Sequence, residues 1–262
     1  MTGEGGSKQK SSKQEPAWII PGSPPPRGIV NPGERCVINA VIQLYFHIPS
    51  ITRIPELQQI QALKSNLDRY DIGDGPLTLD HLHSIFPQSD KASVQDVGEI
   101  LTLIFSKTLT APPSEREGLP LITLIDPVPT LYSSLQNCLT WNFSQVDVNK
   151  TTLIFQINRV TMTGQKETRR TTYPIALDLR KCRPHKGQQT GIHHTLKAIV
   201  VHKGGSVDKG HYVVYIQPSD GQSWALFNDQ TVKWVQEEEV LLQEASLLIY
   251  SRTTPPILFG GR

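Results

Sequence analysis

Two short segments of this 262-residue chain hold residue types that could together perform nucleophilic catalysis. In the first segment, Cys36 follows a Gly- and Pro-rich loop over residues 28–35 and stands where a helical pattern begins. A thiol at that position meets unpaired backbone N–H groups and the positive end of the helix dipole, and both favour the nucleophilic thiolate. Arg35 adds a neighbouring positive charge. The competing interpretation is a buried, inert cysteine, and this is our prediction for Cys138 and Cys182.

The second segment supplies a base and a group that could orient it. His211 opens the apolar stretch HYVVYIQ, and the stretch SWALF, which follows turn residues 218–221, ends at Asn228. The midpoint of positions 211 and 228 lies inside that turn, so an antiparallel hairpin centred there would place His211 directly beside Asn228. An Asn side-chain oxygen can accept the imidazole N–H and fix its tautomer, as a Cys-His-Asn triad requires.

The elements that must position these residues change in type along the chain. Apolar residues recur at helical spacing in the first half, whereas short β-branched and aromatic stretches separated by Gly, Pro, Asp or Ser follow from residue 151 onward. Helices followed by a run of strands predict an α+β fold with a largely antiparallel sheet. The predicted helices are 36–46, 54–68, 94–109 and 129–140, and the predicted strands are 151–160, 171–179, 195–202, 211–217, 223–228 and 246–252.

Composition narrows the functional class. The 26 Lys+Arg against 24 Asp+Glu give a net charge of +2, which is too balanced to predict a nucleic-acid or membrane-surface partner. No apolar run approaches the ~20 residues of a spanning helix, and the first residues lack the apolar region of a signal peptide. Three cysteines without a C-x-x-C pair argue against a disulfide scaffold or a structural zinc site. We therefore expect an intracellular protein of the cytoplasm or nucleus.

The chain divides into one domain and two tails. Residues 1–27 are rich in Gly, Ser, Lys, Gln and Pro and predict a disordered leader, whose lysines leave a weak nucleic-acid-binding patch as an alternative to a solvated tail. Residues 253–262 predict a flexible tail, which leaves a single catalytic domain over 28–252.

The cysteine and histidine segments together resemble the ubiquitin-specific proteases, a family of papain-like cysteine peptidases. The family's cysteine motif, G-L-x-N-x-G-N-T-C-Y-x-N-S-x-L-Q, corresponds to GIVNPGERCVINAVIQ at residues 28–43. Its histidine motif corresponds to LKAIVVHKGGSVDKGHYVVYI at 196–216, followed by WALFND and SLLIYSR. Between these lie matches to the family's Q-Q-D-A-x-E-F-L, L-x-x-x-L-K-R-F and F-P-x-x-L-D-L motifs at 94–101, 153–160 (with Arg159 in place) and 173–179.

The resemblance implies a papain-like fold with a helical thumb, which carries the cysteine, and an antiparallel sheet palm, which carries the histidine. It implies cleavage after the C-terminal Gly-Gly of ubiquitin or a ubiquitin-like modifier by a thiol-dependent isopeptidase. Carried over position by position, Cys36 is the nucleophile, His211 the general base and Asn228 the group that orients the imidazole. Asn31 is then a donor to the oxyanion and Asp229 an auxiliary residue. The resemblance implies no cofactor and no metal.

The resemblance also places residues along the channel for the modifier's C-terminal tail. Two carboxylates three residues apart would share a helix face and could pair with the arginines of a ubiquitin tail, although a solvated helix face is the alternative. The glycine-rich loop at 203–210 matches a family loop that lies over the tail and can gate the site. The expected tail-binding residues are Asp96, Glu99, Gly204, Gly205, Gly210 and Tyr212.

Departures from the family pattern keep a second hypothesis open. The zinc-bearing fingers are expected to be absent or truncated, because only a short stretch separates Leu139 from Leu153. Arg35 and Val37 replace the usual residues beside the cysteine, and Ser246 replaces an aromatic residue. The leading hypothesis is a monomeric deubiquitinase whose partners are ubiquitin or a ubiquitin-like protein and its conjugates, with no membrane or nucleic-acid partner. The alternative is an inactive or weak module that binds a ubiquitin-like protein.

Overall fold

The structure is a computed structural model, and it describes part of the chain. The described residues are 26–33, 35–52, 75–78, 96–108, 121–127, 133–142, 146–147, 150–182, 193–207, 209–218 and 223–253. The predicted helix at 54–68 lies outside them, as do nearly all of the predicted leader and tail. At the predicted leader boundary, the Arg27 Nε donates to the Gly75 carbonyl oxygen at 2.7 Å.

Helices occupy the first half of the described chain, as the periodicity predicts. The first helix, α1, begins at Cys36 and is buried at every position through Tyr45, which is typical of a helix in a protein core. The predicted helix at 94–109 is present over residues 97–108 of the described chain, whereas the one predicted at 129–140 begins at Leu135. The bounds are α1 Cys36–His47, α2 Pro49–Thr52, α3 Val97–Thr108, α4 Leu135–Asn142 and α5 Glu237–Leu241.

Eight of the described strands form one sheet, and the other two pair with each other. Their bounds are β1 Leu121–Ile125, β2 Ser133–Ser134, β3 Thr152–Ile157, β4 Thr171–Thr172, β5 Ala176–Asp178, β6 His193–Lys203, β7 His211–Ile216, β8 Trp224–Asn228, β9 Thr231–Val235 and β10 Ala245–Arg252. The large sheet has the order β1-β3-β10-β6-β7-β8-β9, with β5 paired to β6, and β2 pairs with β4. Five of the six predicted strands are present as single strands, whereas the one predicted at 171–179 is divided into β4 and β5, which belong to different sheets.

The sheet is mixed where an antiparallel palm is predicted. Strand β1 pairs with β3 in parallel, whereas β3, β10, β6, β7, β8 and β9 pair antiparallel along the sheet. The sequence analysis misses β1 because its five residues, LITLI, form an apolar run too short for periodicity to separate strand from helix. It also misses β9 and α5, which follow the catalytic motifs.

Both faces of the sheet are buried, and the helix that begins at Cys36 covers one of them. In β10, Leu247 and Ile249 pack into the cluster that contains α1, whereas Leu248 and Tyr250 pack into the opposite cluster with Cys138 of α4. Alternating side chains of a strand point to opposite faces, so a strand covered on both sides is apolar throughout. Helix α1 lies across β7, and this contact brings the two candidate catalytic segments together.

Arg159, which the resemblance places in a family strand, joins that strand region to the start of β10. Its guanidinium donates from Nε and Nη2 to the Ala245 carbonyl oxygen at 3.0 and 2.7 Å, and from Nη1 to the Arg169 carbonyl oxygen at 2.7 Å. Burial lowers the pKa of Arg159 from its ordinary value, while the nearby carboxylates of Glu244 and Glu167 raise it. The residue is therefore a buried structural bridge.

Replacing Arg159 with methionine is expected to lower the free energy of unfolding by about 2–3 kcal/mol, because buried carbonyl oxygens lose a charged donor. Urea unfolding followed by circular dichroism measures the change. The matched control is Arg180→Met, since Arg180 forms an exposed ion pair with Asp178 at 2.6 Å and exposed pairs contribute little. Equal stability of the two variants would contradict the assignment.

Candidate active site

Cys36 lies where the sequence places it, at the first residue of α1. Its Sγ accepts a hydrogen bond from the backbone N–H of Tyr212 at 3.4 Å, and the backbone N–H groups of Val37 and of Cys36 itself also face the sulfur. Tyr212 directly follows His211 in β7. The amide therefore joins the cysteine helix to the histidine strand across 176 positions of sequence.

The electrostatic setting of Cys36 differs from the sequence-based expectation of a stabilised thiolate. Burial raises the pKa of the thiol, since only 6% of the residue is exposed, and the negative charge of Asp229 raises it further. The backbone N–H groups lower the pKa, as expected at a helix start, but they do not offset burial. The direction of this pKa shift is therefore opposite to the one expected from the helix start alone.

His211 and Asn228 meet as predicted, but through a different strand register. The Nε2 of His211 lies 2.6 Å from the Oδ1 of Asn228. Strands β7 and β8 pair Val214 with Phe227 and Ile216 with Ala225, which places Asn228 opposite position 213. The predicted side-by-side register is therefore wrong by two residues, and the two side chains meet diagonally. Diagonal partners share a face of the sheet and lie within reach of long side chains.

The contact with Asn228 fixes which imidazole nitrogen can act as a base. An amide oxygen is only an acceptor, so the Nε2 of His211 must carry a hydrogen and donate it. In a neutral imidazole the Nδ1 then holds the free electron pair. The side chain of His211 is 38% exposed, which leaves this nitrogen accessible to solvent or to a bound substrate.

Asp229 follows Asn228 in the two-residue turn between β8 and β9 and has a positive φ of 49°, a conformation that Asp and Asn tolerate better than most residues. Its Oδ2 accepts from the Nδ2 of Asn31 at 2.9 Å, and its Oδ1 accepts from the Nδ2 of Asn39 at 2.8 Å. The same Oδ2 lies 3.8 Å from the Nε2 of His211. The carboxylate is therefore held by two amides next to the imidazole.

Asn39 is a site residue that the sequence analysis misses. It lies one turn after Cys36 on α1, and only 2% of it is exposed. A polar residue among the apolar residues of a buried helix was the available signal, because buried polar side chains need a partner.

Asn31 shapes the loop that leads into α1. Its Oδ1 accepts from the backbone N–H groups of Gly33 at 3.0 Å and Arg35 at 3.1 Å. The Nδ2 of Asn31 donates one hydrogen to Asp229. No acceptor for its second hydrogen lies among the described residues. Nearby, a Cβ on Gly28 would collide with the carbonyl oxygens of Asp229 and Gln230, which explains why glycine precedes this loop.

Comparison with known proteins places this geometry in a family. A family model described as ubiquitin carboxyl-terminal hydrolase matches residues 27–250, which is most of the chain. The chain belongs to the ubiquitin carboxyl-terminal hydrolase family. The resemblance identified from the sequence motifs is therefore confirmed.

Curated members of the family match parts of the chain. Ubiquitin carboxyl-terminal hydrolase 10 of Saccharomyces cerevisiae is 32% identical over 103 residues, which are 38% of this chain and 12% of the yeast protein. Ubiquitin carboxyl-terminal hydrolase 42 of Homo sapiens is 38% identical over 93 residues, which are 35% of this chain and 7% of the human protein. The matched segments thus span a small fraction of each relative's length.

Solved structures confirm the papain-like α+β fold. The SAGA Ubp8/Sgf11/Sus1/Sgf73 DUB module aligns with a TM-score of 0.63 and 21% identity, covering 87% of this chain and 68% of that one. The same module bound to ubiquitin aldehyde aligns with a TM-score of 0.61 and 17% identity, covering 87% and 70%. At these identities the likeness establishes the fold of this family member.

The two carboxylates expected to share a helix face occupy different positions in this family member. Asp96 precedes α3, and its Oδ1 accepts from the backbone N–H groups of Gly98 at 2.7 Å and Glu99 at 3.3 Å. The same oxygen accepts from the Nε2 of Gln156 at 2.8 Å. Asp96 is therefore the N-terminal cap of α3, because the first amides of a helix lack partners within it. Glu99 is exposed in the first helical turn.

Tyr212 contributes its backbone to the site, while its side chain lies in the core. Only 5% of the residue is exposed, and its ring stacks against His202 with the centroids 4.7 Å apart. Burial raises the pKa of the phenol. The Tyr212 amide thus contacts the Cys36 sulfur, while the ring packs in the core.

The glycine-rich loop expected over the tail lies between paired strand ends. Lys203 of β6 pairs with His211 of β7, so the loop joins two strands that are directly hydrogen-bonded. The Nζ of Lys166 donates to the carbonyl oxygens of His202 at 2.7 Å and Gly204 at 2.5 Å. Gly204 has a positive φ of 156°, and Gly205 has open space around its Cα, whereas a Cβ on Gly210 would collide with His202. Asp208 of this loop lies outside the described residues.

A small cavity beside Cys36 is lined by the polar side chains of Asn39, Gln43 and Asp229 and by apolar side chains that include Val214 and Phe227. Its volume of about 10 Å³ lies at the lower limit of what one water molecule needs. The Gln43 Oε1 is buried and has no hydrogen-bond partner among the described residues, while its Nε2 donates to the Arg27 carbonyl oxygen at 2.9 Å.

No cluster of three or more His, Cys, Asp or Glu that could hold a metal ion occurs in the part of the chain that the structure describes. Across the same residues, no helix is both long and apolar enough to cross a membrane.

Proposed function

We propose that this family member is a thiol hydrolase that cleaves the peptide or isopeptide bond after the C-terminal Gly-Gly of ubiquitin or a ubiquitin-like modifier. The observation that carries the proposal is the joining of Cys36 to the His211 strand through the Tyr212 amide, with His211 held by Asn228 at 2.6 Å. A nucleophile beside a base, with the base oriented by a third residue, is the arrangement that activates a thiol.

In the proposed acylation step, the Nδ1 of His211 accepts the proton of Cys36. The thiolate sulfur attacks the carbonyl carbon of the modifier's terminal glycine, and the carbonyl π electrons move onto oxygen. In this step the second Nδ2 hydrogen of Asn31 and the backbone N–H of Cys36 donate to the oxyanion. One such donor typically lowers the barrier by about 2.7–4 kcal/mol.

Collapse of the tetrahedral intermediate breaks the bond to the leaving amine, which takes the proton from His211. The product is a thioester between Cys36 and the modifier. In the second half of the reaction, His211 removes a proton from water, the hydroxide displaces the thiolate, and the free C-terminal carboxylate leaves. Asn228 keeps the Nε2 hydrogen in place throughout, and Asp229 stabilises the imidazolium through its nearby charge.

We propose that the modifier's tail lies between α3 and the loop at 203–210. Glu99 is exposed there and can pair with an arginine of the tail. The Oδ2 of Asp96, which takes no part in capping α3, adds negative charge that attracts the same arginine. Gly205 has open space where a Cβ would stand, so the tail can approach the loop backbone closely there. The corresponding space at Gly204 and Gly210 is filled by the loop's own backbone and by His202, so these two glycines serve the packing of the loop.

Anchoring of this loop gives a test of its part in binding. Replacing Lys166 with methionine removes the donor to the His202 and Gly204 carbonyls, so the loop is expected to fluctuate more and KM to rise about 3–10-fold with kcat nearly unchanged. Hydrogen exchange over residues 203–207 and steady-state kinetics measure the two effects. The control is Lys233→Met, since Lys233 is 58% exposed and pairs with Glu239 at 3.6 Å. Unaltered exchange in the Lys166 variant would contradict the anchoring role.

The experiment that tests the proposed function is turnover of ubiquitin carrying a fluorogenic amide at its C-terminus. Measurable hydrolysis of this substrate supports ubiquitin as the modifier. Hydrolysis only of matching amides of ubiquitin-like proteins would instead assign the modifier to that group. Absence of turnover on the whole panel, by a folded sample, would contradict the enzymatic proposal.

The second candidate is a module that binds a ubiquitin-like protein without efficient turnover. Burial of the Cys36 thiol and its raised pKa favour it, as does Arg35 beside the nucleophile. Micromolar binding of ubiquitin by calorimetry without hydrolysis would support this candidate. The domain limits 28–252, a monomeric state, reduced fingers and an intracellular location remain predictions.

A further inference from the structure

We propose that Asn39 is a positioning residue that restrains the Asp229 carboxylate, so that the imidazole of His211 bonds to Asn228. The inference deepens the proposed function and rests on it. Its structural basis is the hydrogen bond from the Asn39 Nδ2 to the Asp229 Oδ1 at 2.8 Å.

Two acceptors compete for the Nε2 hydrogen of His211. The Oδ1 of Asn228 lies at 2.6 Å and the Oδ2 of Asp229 at 3.8 Å. A carboxylate is the stronger acceptor, because hydrogen bonds with an ionised partner are roughly twice as strong as neutral ones. The weaker acceptor holds the hydrogen only if the carboxylate is kept back.

The carboxylate is kept back by two amides, each bonded to a different oxygen. Asn31 bonds one oxygen from the loop before α1, and Asn39 bonds the other from α1 itself. Rotation of the carboxylate toward His211 would break the hydrogen bond from Asn39. This bond is shielded from water, since Asn39 is 2% exposed and the Asp229 side chain is 14% exposed. A buried donor that loses its partner is costly, so the bond opposes this rotation.

Asn39 also joins this restraint to the nucleophile. Cys36 and Asn39 are three residues apart on α1, and such residues lie on the same face of a helix. The Asn39 amide donates in addition to the Ile29 carbonyl oxygen at 3.5 Å. A shift of α1 would therefore disturb Cys36 and the restraint on Asp229 together.

The test is a double-mutant cycle on Asn39→Ala and Asn228→Ala. It is read by the rate at which iodoacetamide alkylates Cys36 and by turnover of the fluorogenic ubiquitin amide. In the background with Asn39, loss of Asn228 is expected to lower both rates about 100-fold. In the Asn39→Ala background, Asp229 can rotate and take the Nε2 hydrogen. The same loss is then expected to cost less than about 10-fold, a coupling within the range of residues in one network.

Two controls separate positioning from simple destabilisation. Asn158→Ala removes another Asn–Asp hydrogen bond, 2.9 Å long and formed with Asp126 away from the site, and should leave both rates unchanged. In an Asp229→Ala background no carboxylate needs restraint, so adding Asn39→Ala should change the rates less than about 2-fold. Asn39→Ser replaces the alanine variant if thermal unfolding shows that the latter does not fold.

Additive losses in the cycle, or an effect of Asn39→Ala that persists without Asp229, would overturn the proposal. Because alkylation needs no modifier, the cycle decides the role of Asn39 even if the wild-type protein hydrolyses none of the ubiquitin-like amides. Such a result would refute the proposed function and leave this inference to be judged on the alkylation rates alone.

Discussion

Replacing Cys36 with alanine is expected to reduce hydrolysis of a fluorogenic ubiquitin amide by about 10⁴-fold or more. Removing the nucleophile of a catalytic triad eliminates the covalent route and leaves only the contributions of binding and the oxyanion donors. Binding of ubiquitin should persist, because the Cys36 side chain is buried and the tail contacts lie elsewhere. Steady-state turnover and calorimetry on the same sample measure both properties.

The matched control for this variant is Cys138→Ala. Cys138 is a fully buried cysteine of α4 and belongs to the core cluster on the other face of the sheet. Its replacement should lower thermal stability modestly through lost packing, with kcat retained. If turnover instead survived in Cys36→Ala and fell in Cys138→Ala, the assignment of the nucleophile would be wrong.

Replacing His211 with alanine is expected to reduce turnover at pH 7 by about 10³-fold, within the range attributed to a general base. The loss should depend on pH in a direction set by the thiol. Burial raises the pKa of Cys36, so without a base the thiol stays protonated at neutral pH. As pH rises toward that pKa, the thiolate fraction grows about tenfold per unit, and alkylation of Cys36 in the variant should grow with it.

In the wild-type protein His211 supplies the base, so the alkylation rate should vary much less between pH 7 and 9. The control variant is His193→Ala. His193 begins β6, and its imidazole contacts the guanidinium of Arg180 at the protein surface. It should retain the wild-type pH profile. A profile for His211→Ala parallel to that of the wild type would contradict the role of general base.

Local sequence patterns account for the helix start and the strands that carry the candidate site. The Gly and Pro residues before Cys36 prevent a helix, and the apolar spacing after it requires one, so the start of α1 follows from neighbouring residues alone. The strands that carry His211 and Asn228 follow from their β-branched and aromatic content. Their register is two residues from the prediction, because turn length was inferred from symmetry rather than from turn geometry.

Contacts between residues far apart in sequence determine the features of the site that the sequence does not predict. The Asn39–Asp229 bond joins residues 190 positions apart, and neither residue's neighbours in sequence indicate the partner. The raised pKa of Cys36 has the same origin, since burial by the assembled core outweighs the local helix-start effect that the sequence suggests. Asp96 is predicted to face the modifier's tail on one side of a helix, whereas in the structure its Oδ1 caps α3 and also accepts from Gln156, which lies 60 positions away in sequence.

The central claim is that Cys36 is the nucleophile for a modifier ending in Gly-Gly. Its most direct test is incubation with ubiquitin, and in parallel with ubiquitin-like proteins, carrying a C-terminal electrophile, followed by mass spectrometry of the digested adduct. We predict a single covalent adduct at Cys36, absent in Cys36→Ala and slowed in His211→Ala. An adduct at Cys138 or Cys182, or none with any modifier on a folded sample, would contradict the claim.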